Sequence, residues 1–182
     1  MKAQTISHKL LFTMSFLLFM IILSRPAQAL YDVNNTGVSD VYGLSGSDVR
    51  PAIGSDFGTV RAIEDTNNAY ALFGDGGNVE ISGDFPAGGI IYAEAVNNYA
   101  YGIYGDVNNS ITTGNINGNI TVEAGNNYAN GLYSVEGSIT TGNINGIITA
   151  TAAVDSAAGL LSFEGPIFTN NINGSILVTA GL

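Results

Sequence analysis

The tract Ser110-Ile111-Thr112-Thr113-Gly114-Asn115-Ile116-Asn117-Gly118 returns letter for letter, 28 residues on, as Ser138-Ile139-Thr140-Thr141-Gly142-Asn143-Ile144-Asn145-Gly146. A looser copy, Pro166-Ile167-Phe168-Thr169-Asn170-Asn171-Ile172-Asn173-Gly174, follows after the same interval. A unit this short cannot close a core alone, so a chain with such a period buries its apolar residues by stacking one unit on the next. What matters for function is then what the stack presents to solvent.

Two further blocks repeat with the tract. The first is a residue that is tyrosine in three copies, then small, then aliphatic: Tyr42-Gly43-Leu44, Tyr70-Ala71-Leu72, Tyr101-Gly102-Ile103, Asn130-Gly131-Leu132 and Ala158-Gly159-Leu160. The second alternates apolar and polar residues, as in Asn119-Ile120-Thr121-Val122-Glu123-Ala124 and Ile147-Ile148-Thr149-Ala150-Thr151-Ala152. A period of two marks a half-buried strand. Val60, Ile91, Ile120, Ile148 and Ile176 share one inward column, and Ala62, Ala93, Val122, Ala150 and Val178 the next. Within the opening tract, Ile111, Ile139 and Ile167 form a third column and Ile116, Ile144 and Ile172 a fourth. Turns rich in Gly, Asn and Asp separate the blocks, and these residues tolerate the positive φ of tight corners.

Three short strands and three turns in about 28 residues make one coil of a parallel β-helix. The expected fold is therefore all-β, a parallel solenoid of about five coils near 36–65, 66–96, 97–125, 126–152 and 153–182, with a lead-in over 30–35. Right-handed winding follows from the crossover preference of parallel strands. In this register Asn117, Asn145 and Asn173 stack as an amide ladder, and the threonines of the tract face outward. Pro51 and Pro86 fall in the middle of the first two coils, where proline suits a turn and not a central ladder. An antiparallel sandwich is the other all-β solution, but it does not require stacking at fixed intervals.

Residues 1–29 read as a cleavable signal helix. Lys2, His8 and Lys9 give a basic start, Leu10 to Leu23 are apolar but for Thr13 and Ser15, and Ala27-Gln28-Ala29 supplies the small residues of a peptidase site. The domain plan is thus signal peptide, short lead-in and repeat domain. After residue 29 the only basic residues are Arg50 and Arg61, against all 15 acids of the chain. Phosphate backbones are held by clustered Lys and Arg, so nucleic acid is excluded as a partner. There is no cysteine, and the single histidine, His8, belongs to the signal segment.

The signal segment, the alternation of a Tyr-Ala-x-Gly-Ile/Leu block with Ile-Thr-Thr-Gly-Asn-Ile-Asn-Gly-x-Ile-Thr-Val/Ala, and the absence of cysteine together resemble the passenger region of bacterial autotransporters, the type V secreted β-helix proteins. The resemblance covers roughly residues 36 to 182. It implies export through the inner membrane and display at the cell surface or outer membrane, or release, as an adhesin or interaction scaffold. Its partners are then a host or bacterial surface protein or glycan. The family's C-terminal translocator barrel is not in this sequence, so an outer-membrane translocator is expected from a longer gene product or a second chain. A truncated passenger without independent function is the alternative. An uncovered solenoid end also offers an edge for self-association.

Catalytic chemistry finds little material. Without histidine, cysteine or lysine after residue 29, Ser–His, Cys–His and histidine–zinc machinery are excluded. A glycosidase needs two carboxylates at a set separation. Asp75, Asp84, Glu94 and Asp106 are available, but no paired-acid motif is visible. A polysaccharide-active enzyme is therefore the alternative to a non-catalytic protein. Gly74-Asp75-Gly76-Gly77-Asn78 has the composition of a calcium-binding turn but occurs once, and no cofactor or metal is expected. The strongest candidate surface is aromatic: Tyr99, Tyr101, Tyr104, Tyr128 and Tyr133 fall on adjacent coils, where they can stack on sugar rings or on a protein.

Overall fold

The computed structural model describes residues 29–34, 41–46, 57–81 and 83–181. The expected signal segment lies outside them except for Ala29, as do residue 35 of the expected lead-in and residues 36–40 and 47–56 of the first expected coil, with the expected turn at Pro51.

The described chain is all-β and winds through three parallel sheets. Sheet I stacks β1 (Ala29–Asn34), β3 (Phe57–Glu64), β6 (Ile90–Ala95), β9 (Asn119–Ala124), β12 (Ile147–Ala152) and β15 (Ser175–Ala180) in that order. Sheet II stacks β2 (Val41–Gly46), β4 (Ala69–Gly74), β7 (Ala100–Gly105), β10 (Ala129–Ser134) and β13 (Ala157–Ser162). Sheet III stacks the short strands β5 (Val79–Ile81), β8 (Ile111–Thr113), β11 (Ile139–Thr141) and β14 (Ile167–Thr169). Each coil passes from sheet II to sheet III to sheet I, and every strand pairs parallel with its equivalent one coil away. This rules out the antiparallel sandwich.

Four coils carry all three strands, where the repeat suggested about five. The first expected coil contributes β2 and β3 among the described residues. The expected lead-in is also different: β1 pairs with β3 and extends sheet I. An uncovered edge presents a row of N–H and C=O groups, and a strand laid along it satisfies them.

The inward columns coincide with the repeat. Ile91, Ile120 and Ile148 from sheet I, Leu72, Ile103 and Leu132 from sheet II, and Ile111 and Ile139 from sheet III are all fully buried. A fourth column runs through isolated bridges from Phe85 to Ile116, Ile144 and Ile172. Phe85 stands where later coils have isoleucine, and the type of turn that follows explains the local loss of repeat. Gly89 N–H donates to the Pro86 carbonyl at 3.0 Å, with Gly88 at φ 89°, a conformation that needs glycine. The coil through β7 and β8 accommodates an extra residue at Asn108, φ 63°.

The final coil departs from the column pattern. Ile167 is 42% exposed and Ile172 52% exposed, and Ile176 is only partly buried. They have the correct register with Ile139, Ile144 and Ile148, but no described coil covers them. The threonines also split. Thr112 and Thr140 face outward as expected, whereas Thr113 and Thr141 are buried. They align with Ile81, and their hydroxyls donate to the carbonyls of Gly114 and Gly142 at 3.0 and 3.2 Å. A hydroxyl satisfied by its own turn can occupy an apolar column, so no outward rank of threonine forms there.

The amide ladder forms as the repeat predicts. Asn145 Nδ2 donates to Asn117 Oδ1 at 2.7 Å and Asn173 Nδ2 to Asn145 Oδ1 at 2.9 Å. A second ladder is mixed: the Asn143 backbone N–H donates to Asn115 Oδ1 and Asn171 Nδ2 donates to Asn143 Oδ1. Asp84 terminates it, accepting from the backbone and side-chain nitrogens of Asn115 at 2.9 and 3.0 Å. These bonds, side chain first, hold the Asp84 carboxyl below the usual range. Repetition did not reveal Glu64, which is fully buried at a position that is alanine in the next three coils. Its Oε1 accepts from Thr66 N and Oγ1, both at 3.0 Å, and closes the turn into sheet II.

Candidate functional site: an aromatic groove on sheet II

Sheet II carries two columns of aromatic residues on its outer face because its strands break strict alternation. Tyr70 and Phe73 are three residues apart, yet their rings lie 5.0 Å apart on one side. Tyr101 and Tyr104 repeat this at 4.8 Å. Two consecutive residues between them point toward the interior. The first is small: a Cβ on Gly102 would approach Ile120 Cγ2 of sheet I to 2.7 Å and the Gly131 carbonyl oxygen to 2.6 Å. The small residue of the block thus lets the two sheets close and places two aromatic columns on the same outer face.

The first column runs Tyr42, Tyr70, Tyr101, with both successive centroid distances 5.1 Å and near-parallel planes. The second runs Phe73, Tyr104, Tyr133 at 5.2 and 5.4 Å. These spacings follow the strand separation of about 4.8 Å that coil stacking imposes. The first column then stops. The residue paired with Tyr101 in the next coil is Asn130, and the one after that is Ala158. Tyr99 and Tyr128, 5.4 Å apart in the preceding turn, flank the break.

Where the column stops, a groove of ≈ 640 Å³ opens between Tyr99, Tyr101, Tyr128 and Tyr133 on one side and Ala158, Leu161 and Phe163 on the other. Asn130 lies in its floor, 3% exposed. Four of the five tyrosines singled out by the sequence therefore converge on one groove. Tyr104 does not line it and instead backs Tyr101 and Tyr133. Asn130, Ser156, Leu161 and Phe163 were not anticipated. The change from Tyr to Asn to Ala down the first block was the available signal for the floor.

No charged side chain lines the groove. Burial, followed by the neighbouring Tyr70 and Tyr104, raises the Tyr101 phenol well above its ordinary value. Burial and then Asp106 push Tyr104 up to about 12, and burial followed by Tyr128 raises Tyr133. The fold thus favours the neutral phenols. Their stabilisation is complete below the ordinary tyrosine range near pH ~10 and is lost as pH rises through the folded values. Alkaline unfolding is expected to begin above about pH 10 and to advance toward the Tyr104 value of about 12. Phenolate absorbance should rise together with loss of the β circular-dichroism signal; ionisation with an unchanged spectrum would contradict this linkage.

A second polar cluster lies on the outer face of sheet I. The Tyr92 hydroxyl donates to Glu94 Oε2 at 2.7 Å, with Glu123 Oε2 at 3.3 Å as a second acceptor. Glu94 and Glu123 are direct cross-strand partners, one residue beyond the aligned Ala93 and Val122. Arg61 lies over the Tyr92 ring at 5.2 Å, and burial followed by the two carboxylates raises the Tyr92 phenol. The adjacent hollow is shallow, ≈ 250 Å³. Among the acids singled out in the sequence, Asp84 closes an asparagine ladder, Asp106 lies beside the Tyr104 phenol, and Glu94 shares the Tyr92 hydroxyl with Glu123. Among the described residues, no group of three or more acids is placed to share a cation.

No protein-family model, curated protein or solved structure matches the chain.

Proposed function

We propose that the chain is a non-catalytic, exported β-solenoid segment similar to an autotransporter passenger, and that it presents its outer faces to a protein or glycan partner at the cell surface. The observation that carries this reading is the convergence of Tyr99, Tyr101, Tyr128 and Tyr133, from two coils, on one uncharged groove. Aromatic rings with polar tips provide large contact area at low conformational cost. The secretory character of residues 1–29 and the lack of histidine, cysteine and lysine after them support export without catalysis. In this reading the coils wind right-handed, an outer-membrane translocator is supplied by a longer product or another chain, and the exposed Ile167, Ile172 and Val178 of the last coil support self-association.

A second reading, a polysaccharide-active enzyme, has one observation in its favour: Glu94 and Glu123 share the Tyr92 hydroxyl. Paired carboxylates are the machinery of glycoside hydrolysis. One experiment separates the two readings. The exported protein is immobilised and probed with surface glycans and surface proteins, and the supernatant is assayed for newly released reducing ends. Binding that Tyr101→Ala and Tyr133→Ala weaken at least about tenfold, equivalent to about 1.4 kcal/mol, without turnover, is the expected result. Turnover abolished by Glu94→Gln would replace the scaffold reading with the enzymatic one.

A further inference from the structure

We infer that the break in the aromatic column is a binding site for one ring of a neutral glycan, with a pyranose taking the place of the missing rung against Tyr101 and its hydroxyls meeting the Asn130 amide. This rests on the proposed interaction function and names the ligand class of that groove.

Three features point to this occupant. The column Tyr42, Tyr70, Tyr101 repeats at 5.1 Å and ends with no ring in the next register position, so the far face of Tyr101 borders the groove. A flat apolar face stacked there continues the column at the spacing the coils already impose. Next, Asn130 is 97% buried by its 3% exposure, it lines the groove, and its side-chain amide has no hydrogen-bond partner among the described residues. Its amide atoms are not sealed from solvent, so they stand open at the groove to a ligand that brings donors and acceptors. A partner's aromatic side chain would stack on Tyr101 but leave the amide unsatisfied. A pyranose offers both a C–H face for the ring and a hydroxyl edge for the amide. Finally, the site is uncharged and the chain carries a net charge of −10. Among the described residues the only Lys or Arg is Arg61, on sheet I. An acidic sugar would meet no cation in the groove and an unfavourable overall field, so the ligand is neutral.

The decisive variant is Asn130→Tyr, which restores the missing rung in the pattern of the three preceding coils and fills the site. The full exported chain is tested on an array of neutral hexose-terminated oligosaccharides and their sialylated or uronic acid counterparts, and the best neutral probe is then titrated in solution. Wild type should bind neutral probes. Asn130→Tyr should lose that binding by at least about tenfold while its melting temperature stays level or rises. Asn130→Ala keeps the space open but removes the amide, and it should bind more weakly with altered preference among hexose epimers. Undiminished binding by Asn130→Tyr, or binding confined to acidic glycans or to proteins, would overturn the inference while leaving an interaction surface in place. Failure to bind any glycan or surface protein would remove both the inference and the function on which it rests.

Discussion

Ile144→Ala is expected to lower the unfolding free energy by about 2–5 kcal/mol. Ile144 is fully buried and bridged above and below by Ile116 and Ile172. Its truncation leaves a cavity between coils that parallel pairing prevents from closing. In a solenoid each repeat rests on its neighbours, so the loss should lower cooperativity as well as the denaturation midpoint. Ile172→Ala removes the same atoms from the same column, but Ile172 is 52% exposed. Burial energy scales with the area withdrawn from water, so its loss should remain below about 1 kcal/mol. Urea unfolding of the two variants tests the difference. Equal losses would show that the last coil is covered in solution, and a concentration-dependent Ile172→Ala midpoint would identify the cover as a second copy.

Gly102→Val is the second large effect, expected to destabilise by about 1–3 kcal/mol. Its first added carbon would lie 2.6 Å from the Gly131 carbonyl oxygen and 2.7 Å from Ile120 Cγ2. Neither contact is with the free end of a flexible side chain, so sheets I and II must separate. Gly102→Ala should cost less, since Ala71 occupies the equivalent place one coil earlier, between the paired positions Tyr70–Tyr101 and Leu72–Ile103. Gly102 also lies between Tyr101 and Ile103, so the valine should tilt Tyr101 and weaken ligand binding at the groove. Thermal melts and probe titrations of the valine variant should therefore both change. A valine variant as stable as wild type would show that the two sheets are not in close contact at this residue.

Repeats made most of the architecture legible. Because one coil lies directly on another, residues at a fixed interval share an environment, and the isoleucine columns, the Asn117–Asn145–Asn173 ladder and the parallel pairing follow from that interval alone. The alternating blocks similarly identify the inward positions of sheet I, such as Ile91 and Ile120. Positions that depart from the average were harder to place. Thr113 resembles its neighbour Thr112 in sequence, yet its hydroxyl finds a turn carbonyl and the side chain faces inward. Glu64 heads a column that is alanine in the following coils, and closes a turn. Glu94 and Glu123 share a column one residue beyond Ala93 and Val122, but the Tyr92 hydroxyl that joins them is seen only in the folded sheet.

The sequence by itself determined the solenoid, its column register and the poverty of catalytic groups after residue 29, because periodicity and composition are properties of the linear chain. The tertiary structure alone decided which face the tyrosines share. Period-two alternation would send Tyr101 and Tyr104 to opposite sides, but the strand turns two successive residues inward and brings both rings to the outer face, 4.8 Å apart. It also decided that the change from Tyr101 to Asn130 is a groove rather than merely a polar substitution. A missing ring creates space only where the rings around it are held at a fixed separation by the stacking of the coils.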